Sequence, residues 1–394
     1  MPKQNDRRIP GLVSCFRIAG IPLIDKYQRK QEVISSTPTK TPAPQRKSDT
    51  RSPLPVTPAE TRSDGELEIR DLLGEDLLGN PLDREAASQP AAHVEAYVGS
   101  PKQKAMMLVA VILPLLGTAA AIAWMWQYGF MGWLYLGLMV GGWYLTGMGI
   151  TIGFHRLLTH RSFESKPFVR WFWTAAGAMA VEGSPLVWCA IHRRHHQLSD
   201  HEGDPHSPHL HDGGFWNMLK GMWHAHTGWL FNEYWEPPKF ERYVPDLTRD
   251  KIVMHIDRWY FTYVIASLII PTAIAGLVTM SWTGALLGFI WGGLVRMLVT
   301  QHITWSINSV CHVFGGREFE SGDLSTNNLI FGYVAHGEGW HNNHHAFPTS
   351  ARHGLRWWQF DASWVVIRSM QMLGWVWNVK VPSERTMELK RRKT

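Results

Sequence analysis

The sequence predicts an all-α membrane protein, with four transmembrane helices in two hairpins and a cytoplasmic helical cap holding a histidine-rich di-metal site. Three observations predict it. Four apolar runs of spanning length come in two tightly connected pairs. Lys and Arg keep to one side of those runs. Of 20 histidines, nine sit in short clusters beyond the ends of the runs.

Residues 1–100 contain no Trp, although the chain has 21, and are rich in Pro, Ser, Thr, Lys, Arg and Glu. A stretch such as "SSTPTKTPAPQRKSDTRSPLPVTPAETRSDGE" cannot bury enough apolar area to offset chain entropy, so it reads as a disordered polar tail. Within it, "ELEIRDLLGEDLLG" (66–79) has the pattern of a short amphipathic helix. "GLVSCFRIAGIPLI" is too short and too interrupted for a span or a signal peptide. The expected organisation is a tail over 1–100, a membrane domain over 101–382 and a basic C-terminal tail over 383–394. Residues 1–95 are expected to be dispensable for chemistry, since every motif lies downstream.

The first apolar run is "AMMLVAVILPLLGTAAAIAWMW" (105–126) and the second "MGWLYLGLMVGGWYLTGMGITIG" (131–153), joined by "QYGF". The third is "YFTYVIASLIIPTAIAGLVTM" (260–280) and the fourth "ALLGFIWGGLVRMLVTQHITW" (285–305), joined by "SWTG". Each is long enough to cross a hydrocarbon core of roughly 30 Å. Arg296, inside the fourth run, is expected to point into a polar site rather than lipid. The hairpin tips carry no Lys or Arg, so the positive-inside rule puts both termini and the 154–259 segment in the cytoplasm.

The net charge of +6 raises the question of nucleic acid, but the basic residues are scattered and no nucleic-acid motif occurs. Cys15, Cys189 and Cys311 are far apart and form no CxxC pair, which argues against a disulfide framework or a thiolate zinc site.

The histidines carry the chemistry. "HRLLTH" (His155, His160) begins where the second span ends, and "HRRHH" (His192, His195, His196) lies in the middle segment. "TWSINSVCH" places Asn308 and His312 four residues apart after the fourth span. "HNNHH" (His341, His344, His345) repeats the i, i+3, i+4 spacing of the second cluster, which shares one helix face. Neutral imidazole suits iron, zinc, copper or nickel, and nine imidazoles exceed what one ion accepts, so the count points to two metals. His206, His209, His211, His224, His226, His255, His302, His336 and His353 lack the paired spacing and read as surface residues, hydrogen-bonding residues or residues that support a ligand from behind; changes at His209 or His353 are expected to be tolerated. Asp204 and Glu338 are expected to orient ligand imidazoles through the ring nitrogen that faces away from the metal.

The ordered set "GITIGFHRLLTH", "HRRHHQLSDHEGDPHSP", "TWSINSVCH" and "GEGWHNNHHAFP" closely resembles the membrane fatty acid desaturases of the Δ9 type, stearoyl-CoA and bacterial acyl-lipid. The resemblance covers roughly residues 104–380. It implies a four-helix membrane bundle with two iron ions held by His155, His160, His192, His195, His196, His312, His341, His344 and His345. It also implies that Asn308 holds a metal-bound water. The reaction would insert a cis double bond, at Δ9, using O2 and two electrons. No "HPGG" haem signature, ferredoxin cysteine run or GxGxxG occurs, so the electrons are expected from a separate ferredoxin or cytochrome b5. Met139 and Trp143 are expected near the closed end of an acyl tunnel.

One departure concerns the acyl carrier. Acyl-CoA members place charged residues before the second histidine cluster and an Arg-Lys pair after H-x-G-W. This chain has Ala190, Ile191, Glu233 and Tyr234 there, with Ile191 expected against the lipid boundary. The expected substrate is therefore an acyl group on a membrane lipid, although Lys239 or Arg242 offers an alternative grip for CoA. The competing readings are a fatty-acyl or sterol-type hydroxylase on the same scaffold and a metal-binding membrane transporter. Transport ligands belong at span midplanes, whereas these histidines lie beyond the span ends.

Overall fold

The computed structural model describes residues 101–211, 213–231 and 240–393. The polar tail and its 66–79 helix lie outside the described residues, as do Glu233, Tyr234 and Lys239. Helices α1 (Pro101–Tyr128) and α2 (Trp133–Met148) form the first hairpin. Its turn sets Gly129 and Gly132 at φ of 78° and 99°, a region that only glycine enters without strain. Helix α2 runs on without a break into a π-helix over Gly149–Thr159. Four shorter helices follow: α3 (Pro167–Ala178), α4 (Pro185–Leu198), α5 (Phe215–His226) and α6 (Lys251–Arg258). Pro167 and Pro185 open α3 and α4, where proline's missing N–H has no intrahelical partner to lose. Asp250 caps α6 by accepting from the backbone of Ile252 and Val253.

The second hairpin joins α7 (Tyr260–Thr279) to α8 (Trp282–Gly288), which continues as a π-helix (Phe289–Val295) and then α9 (Arg296–Ser309). Helices α10 (Leu329–Val334), α11 (His341–Ala346), α12 (Ala362–Met372) and α13 (Glu384–Lys390) complete the chain. A two-stranded pairing of β1 (Glu164–Ser165) with β2 (Val376–Trp377) ties the segment after the π-helix to the region after α12. Among the described residues, the four helices long and apolar enough to cross a membrane are Lys104–Tyr128, Trp133–Thr159, Tyr260–Thr279 and Trp282–Ser309, one for each apolar run. The second and fourth outrun their apolar sequence, and those extensions carry His155 and Asn308.

Small residues let the second hairpin close. A Cβ on Gly288 would lie 2.4 Å from the Ala275 Cβ, and one on Gly292 2.5 Å from the Pro271 Cβ, so larger residues would force α7 away. Arg296 is buried, but it points at backbone rather than at the histidines. Its guanidinium donates to the carbonyls of Met179, Ser267 and Gly292 at 3.0, 3.3 and 3.3 Å. Met179 sits at the C-terminal cap of α3, where carbonyls lack intrahelical donors, so the arginine finds its polar partners without leaving the bundle.

The basic stretch 383–394 carries α13. Met387 of α13 packs with Phe319, Ala346 and Phe347. The backbone of Glu320 donates to the Lys390 carbonyl at 2.8 Å, and the Lys390 ammonium donates to the Ala346 carbonyl at 2.7 Å. Ala346 is the last residue of the histidine-bearing α11, whose free carbonyls attract a cation. Lys390→Met should therefore cost about 1 kcal/mol, and deletion of 383–394 more, read as a lower thermal midpoint of the purified protein in detergent.

Candidate metal centre

His155 and His160 are five residues apart. At about 100° per residue an α-helix would turn them to different faces. The π-helix closes i→i+5 instead, with the His160 N–H donating to the His155 carbonyl at 3.1 Å, and this wider winding brings both rings to one side. Helix α4 supplies His192, His195 and His196, α11 supplies His341, His344 and His345, and His312 follows α9.

The nine histidines converge in two groups. His155, His160, His192, His196 and His344 form one, and His195, His312, His341 and His345 the other, each with its ring nitrogens within 4.8 Å of one another. Both helical triplets are split between the groups. On α4, His192 and His196 join the first group while His195 joins the second. On α11, His341 and His345 join the second while His344 joins the first. The Nε2 atoms of His155 and His344 are 3.0 Å apart, those of His196 and His344 2.9 Å, and those of His312 and His341 3.1 Å.

These residues fit a pair of metal ions. The Nε2 atoms of His160 and His195 are buried without a hydrogen-bond partner, so converging lone pairs meet no proton donor. Burial, reinforced by the neighbouring imidazoles, pushes His160, His192, His196, His341 and His344 well below the usual histidine range. Burial also lowers His345, to about 4. Neutral imidazole is the form that binds metal. The thiols of Cys189 and Cys311 are buried away from these groups, and burial pushes Cys189 up to about 12.

Four carboxylates hold the opposite ring nitrogens. Nδ1 of His155 lies 2.7 Å from Glu338, that of His195 3.0 Å from Asp204, that of His312 3.0 Å from Asp200 and that of His345 2.5 Å from Asp323. Such pairing fixes the tautomer and aims Nε2 inward. Burial alone would raise the carboxyls of Asp200, Asp204, Asp323 and Glu338, but their imidazole partners outweigh it and hold all four well below the usual carboxylate range. Sequence reasoning reached Asp204 and Glu338 and missed Asp200 and Asp323. Asp200 carried a faint signal, four residues after His196, whereas nothing in "ESGDLST" marks Asp323.

Behind Glu338 lies a buried ion network that the sequence did not announce. The Arg156 guanidinium, fully buried, reaches Glu338 at 3.2 Å and Asp361 at 3.0 Å and donates to the Ala351 carbonyl at 2.9 Å. His353, one of the histidines without the paired spacing, is buried between Arg156 and Glu338 and belongs to this network. His209 and His206 likewise stand behind histidines of the two groups. His209 lies 2.7 Å from the His312 carbonyl, and buried His206 packs against His195 with ring centroids 4.4 Å apart.

A cavity opens beside the centre, walled by Ile150, Trp188, Ile191, Trp229 and Ile307 and reached by His155, His192, His341, Glu338 and Asn308. Ile191 therefore does not lie at the lipid boundary. It packs against Trp229, Leu230 and Trp305 because α4 turns this face toward the site, and Ala190 is likewise buried. A second cavity shares Ile150, Thr304, Ile307 and Glu338 with the first and ends at Trp143 and His336. Met139, one turn further along α2, packs toward Ala121, Leu287, Trp291 and Val295 and does not line it.

Fold and site together define a membrane-helix protein with a buried polyhistidine centre beside an apolar channel. The family model described as fatty acid desaturase matches residues 129–378, and the chain belongs to that family, whose members are oxidoreductases acting on fatty acyl chains. It is 41% identical over 297 residues to hex-5-enoyl-[acyl-carrier protein] acetylenase of Moorena producens, covering 75% of this chain and 91% of the relative. It is 36% identical over 277 residues to icosanoyl-CoA 5-desaturase of Limnanthes douglasii, covering 70% of this chain and 71% of the relative. It is also 36% identical over 243 residues to sn-1 stearoyl-lipid 9-desaturase of Anabaena variabilis, covering 62% of this chain and 82% of the relative.

Proposed function

We propose that this chain is a di-iron Δ9 acyl-lipid desaturase, with both termini and the metal centre cytoplasmic and a ferredoxin or cytochrome b5 as electron donor. The observation that carries it is the convergence of nine histidines in two groups at the wall of an apolar channel. In this reading His155, His160, His192, His196 and His344 hold one iron, and His195, His312, His341 and His345 the other, with Asn308 holding a water beside it. When bound, the two irons supply the oxidising power by which O2, two electrons from the donor and two protons take two hydrogens from adjacent methylenes, leaving one double bond and two waters.

The protein's own part is positional. Glu338, Asp204, Asp200 and Asp323 keep the outer ring nitrogens occupied, so the inner ones present lone pairs. Ile150, Trp188, Ile191, Trp229 and Ile307 exclude water and confine a featureless chain, fixing which carbons lie beside the histidines. Trp143 closes the far end, so Trp143→Ala should lengthen the acyl chains accepted, read from product lengths by mass spectrometry.

Glu182 also lines the channel, and burial pushes its carboxyl up to about 8. Below that value it is neutral and compatible with an acyl chain; above it a negative charge enters the channel. KM should therefore rise as pH passes about 8, and Glu182→Gln should remove that alkaline limb. A pH profile for enzyme and variant in one detergent checks this.

The Δ9 position is supported by the stearoyl-lipid relatives and by "HRLLTH" and "HNNHH" in the first and last clusters. The lipid carrier is supported by the absence of a cation at Ala190 and Ile191. Expression in a host lacking its own desaturase, with double-bond position read from the lipids, tests the reaction. Hydroxylated chains would favour the hydroxylase instead. Matched assays on stearoyl-CoA, a stearoyl acyl-carrier protein and a stearoyl glycerolipid test the carrier, and turnover of the CoA ester alone would overturn it.

A further inference from the structure

We propose that the exposed face of α13, with the segment 317–320 that pairs with its end, is the docking surface for an acidic electron-carrier protein, and that Arg385 and Lys393 are its leading cations. The proposal rests on the desaturase reading above, which needs two electrons from outside the chain, and assigns them a point of entry.

The first observation is charge. Residues 380–393 hold six basic and two acidic residues. Of the acids around them, Glu388 is held by Arg391 at 3.4 Å and Glu320 by Arg392 at 3.2 Å. Arg385 and Lys393 are exposed and form no ion pair among the described residues. The cations on the far side of the histidines differ: Arg161 and Arg193 both pair with Asp246, and Arg170 pairs with Asp250. An unpaired surplus of one sign does nothing for the fold, but it speeds and orients encounter with a partner of the opposite sign.

The second observation is position. Electron transfer weakens steeply with distance, so a carrier must dock where little protein separates the surface from the histidines. Helix α13 lies directly on the end of α11. The Lys390 ammonium donates to the Ala346 carbonyl at 2.7 Å, and Ala346 follows His345 in the chain. The segment is fastened there, with the Arg392 N–H donating to the Glu318 carbonyl at 3.0 Å and the Glu320 N–H to the Lys390 carbonyl at 2.8 Å. From the same segment the Arg317 guanidinium donates to the Asp323 carbonyl, and the Asp323 carboxylate holds Nδ1 of His345. Two short paths, one through Ala346 and one through Asp323, thus lead from this surface to one ring of the second histidine group. Electron-transfer encounters use small contacts, so the face of one seven-residue helix and its paired segment is enough.

The test uses the full chain loaded with iron in phosphatidylcholine nanodiscs, with a plant-type ferredoxin and the soluble domain of cytochrome b5 as probes. Binding of each is measured against salt. Product formation is driven either by the reduced carrier or by reduced methyl viologen, a cation with no use for a basic patch. The wild type should bind at least one carrier, less tightly as salt rises. Arg385→Glu with Lys393→Glu should weaken that binding by about tenfold or more and slow carrier-driven desaturation in step, with the viologen-driven rate kept. Glutamate is favourable in the first turn of a helix, so loss at Arg385 is not unfolding. Arg385→Lys with Lys393→Arg should bind as the wild type does. Reversal on the other face, Arg249→Glu with Lys251→Glu, should change little. A wild type that binds neither carrier, a double reversal on α13 without effect, or a loss confined to the Arg249 and Lys251 variant would overturn the proposal. Slowed hydrogen exchange over 383–393 in phosphatidylglycerol nanodiscs, with carrier binding unaltered by the α13 reversal, would make this a lipid-binding face instead. Carrier binding that the reversal weakens, without desaturation by either reductant, would uphold the docking surface and defeat the desaturase reading. Carrier-driven desaturation by wild type and reversed variant alike at every salt concentration would do the opposite.

Discussion

His345→Ala should eliminate detectable desaturation and lower iron content at normal membrane abundance. His345 belongs to the second histidine group, its Nε2 lies 3.1 Å from that of His341, and its Nδ1 is held by Asp323. If His345 is a ligand as proposed, losing the ring removes it and leaves the Asp323 carboxylate facing a gap, so the expected loss exceeds the roughly 10–100-fold typical of losing an outer partner alone. Asp323→Asn should fall within that smaller range. His155, His192 and His312, which occupy corresponding places in the two groups, should behave like His345. Exposed His255 is the control, since the structure rules out His353 and His209 for that purpose. Metal analysis and product yield on the same membranes separate the outcomes, and a fully active, fully loaded His345→Ala enzyme would remove this residue from the ligand set.

Arg156→Met should destabilise the fold by about 3–5 kcal/mol, the usual cost of breaking a buried ion pair from one side. The methionine fills comparable volume, so the loss is electrostatic: Glu338 and Asp361 remain buried without their shared cation. Asp361 also caps α12 by accepting from the Trp364 N–H at 2.9 Å, and Glu338 orients His155, so both the fold and the centre suffer. Thermal unfolding of the purified protein measures the change. Arg161→Met, which breaks a partly exposed pair with Asp246, should cost no more than about 1 kcal/mol. Equal effects from the two substitutions would mean that the buried network contributes nothing special.

The spans and the histidine inventory were legible in the sequence because each depends on local chemistry. An uncharged run of more than 20 residues has few alternatives to a spanning helix, and i, i+3, i+4 histidines share a face wherever a helix forms. The short links were legible too, but not the neighbours they leave: α1 packs on the last spanning helix rather than on α2, with Gly117 against Leu294 and Ala121 beside Leu287, Trp291 and Val295. Helix winding was not legible. "GITIGFHRLLT" shows no mark of π geometry, yet only that geometry turns His155 and His160 to one side.

Partners contributed by distant segments were equally hidden. Asp323 reaches His345, Asp361 reaches Arg156 and Lys390 reaches Ala346 across sequence separations that no local pattern encodes. The same holds for facing. Ile191 turns into the channel instead of toward lipid, and the cavity stops at Trp143 before Met139, because helix packing decides which side of a residue is enclosed. The sequence by itself therefore determined the four helices long and apolar enough to span a membrane and the histidine character of the centre, all set by composition and short-range periodicity. Only the tertiary structure decided which histidine joins which group, which carboxylates hold them and which residues wall the cavities beside them, because those depend on side chains brought together by packing over long separations.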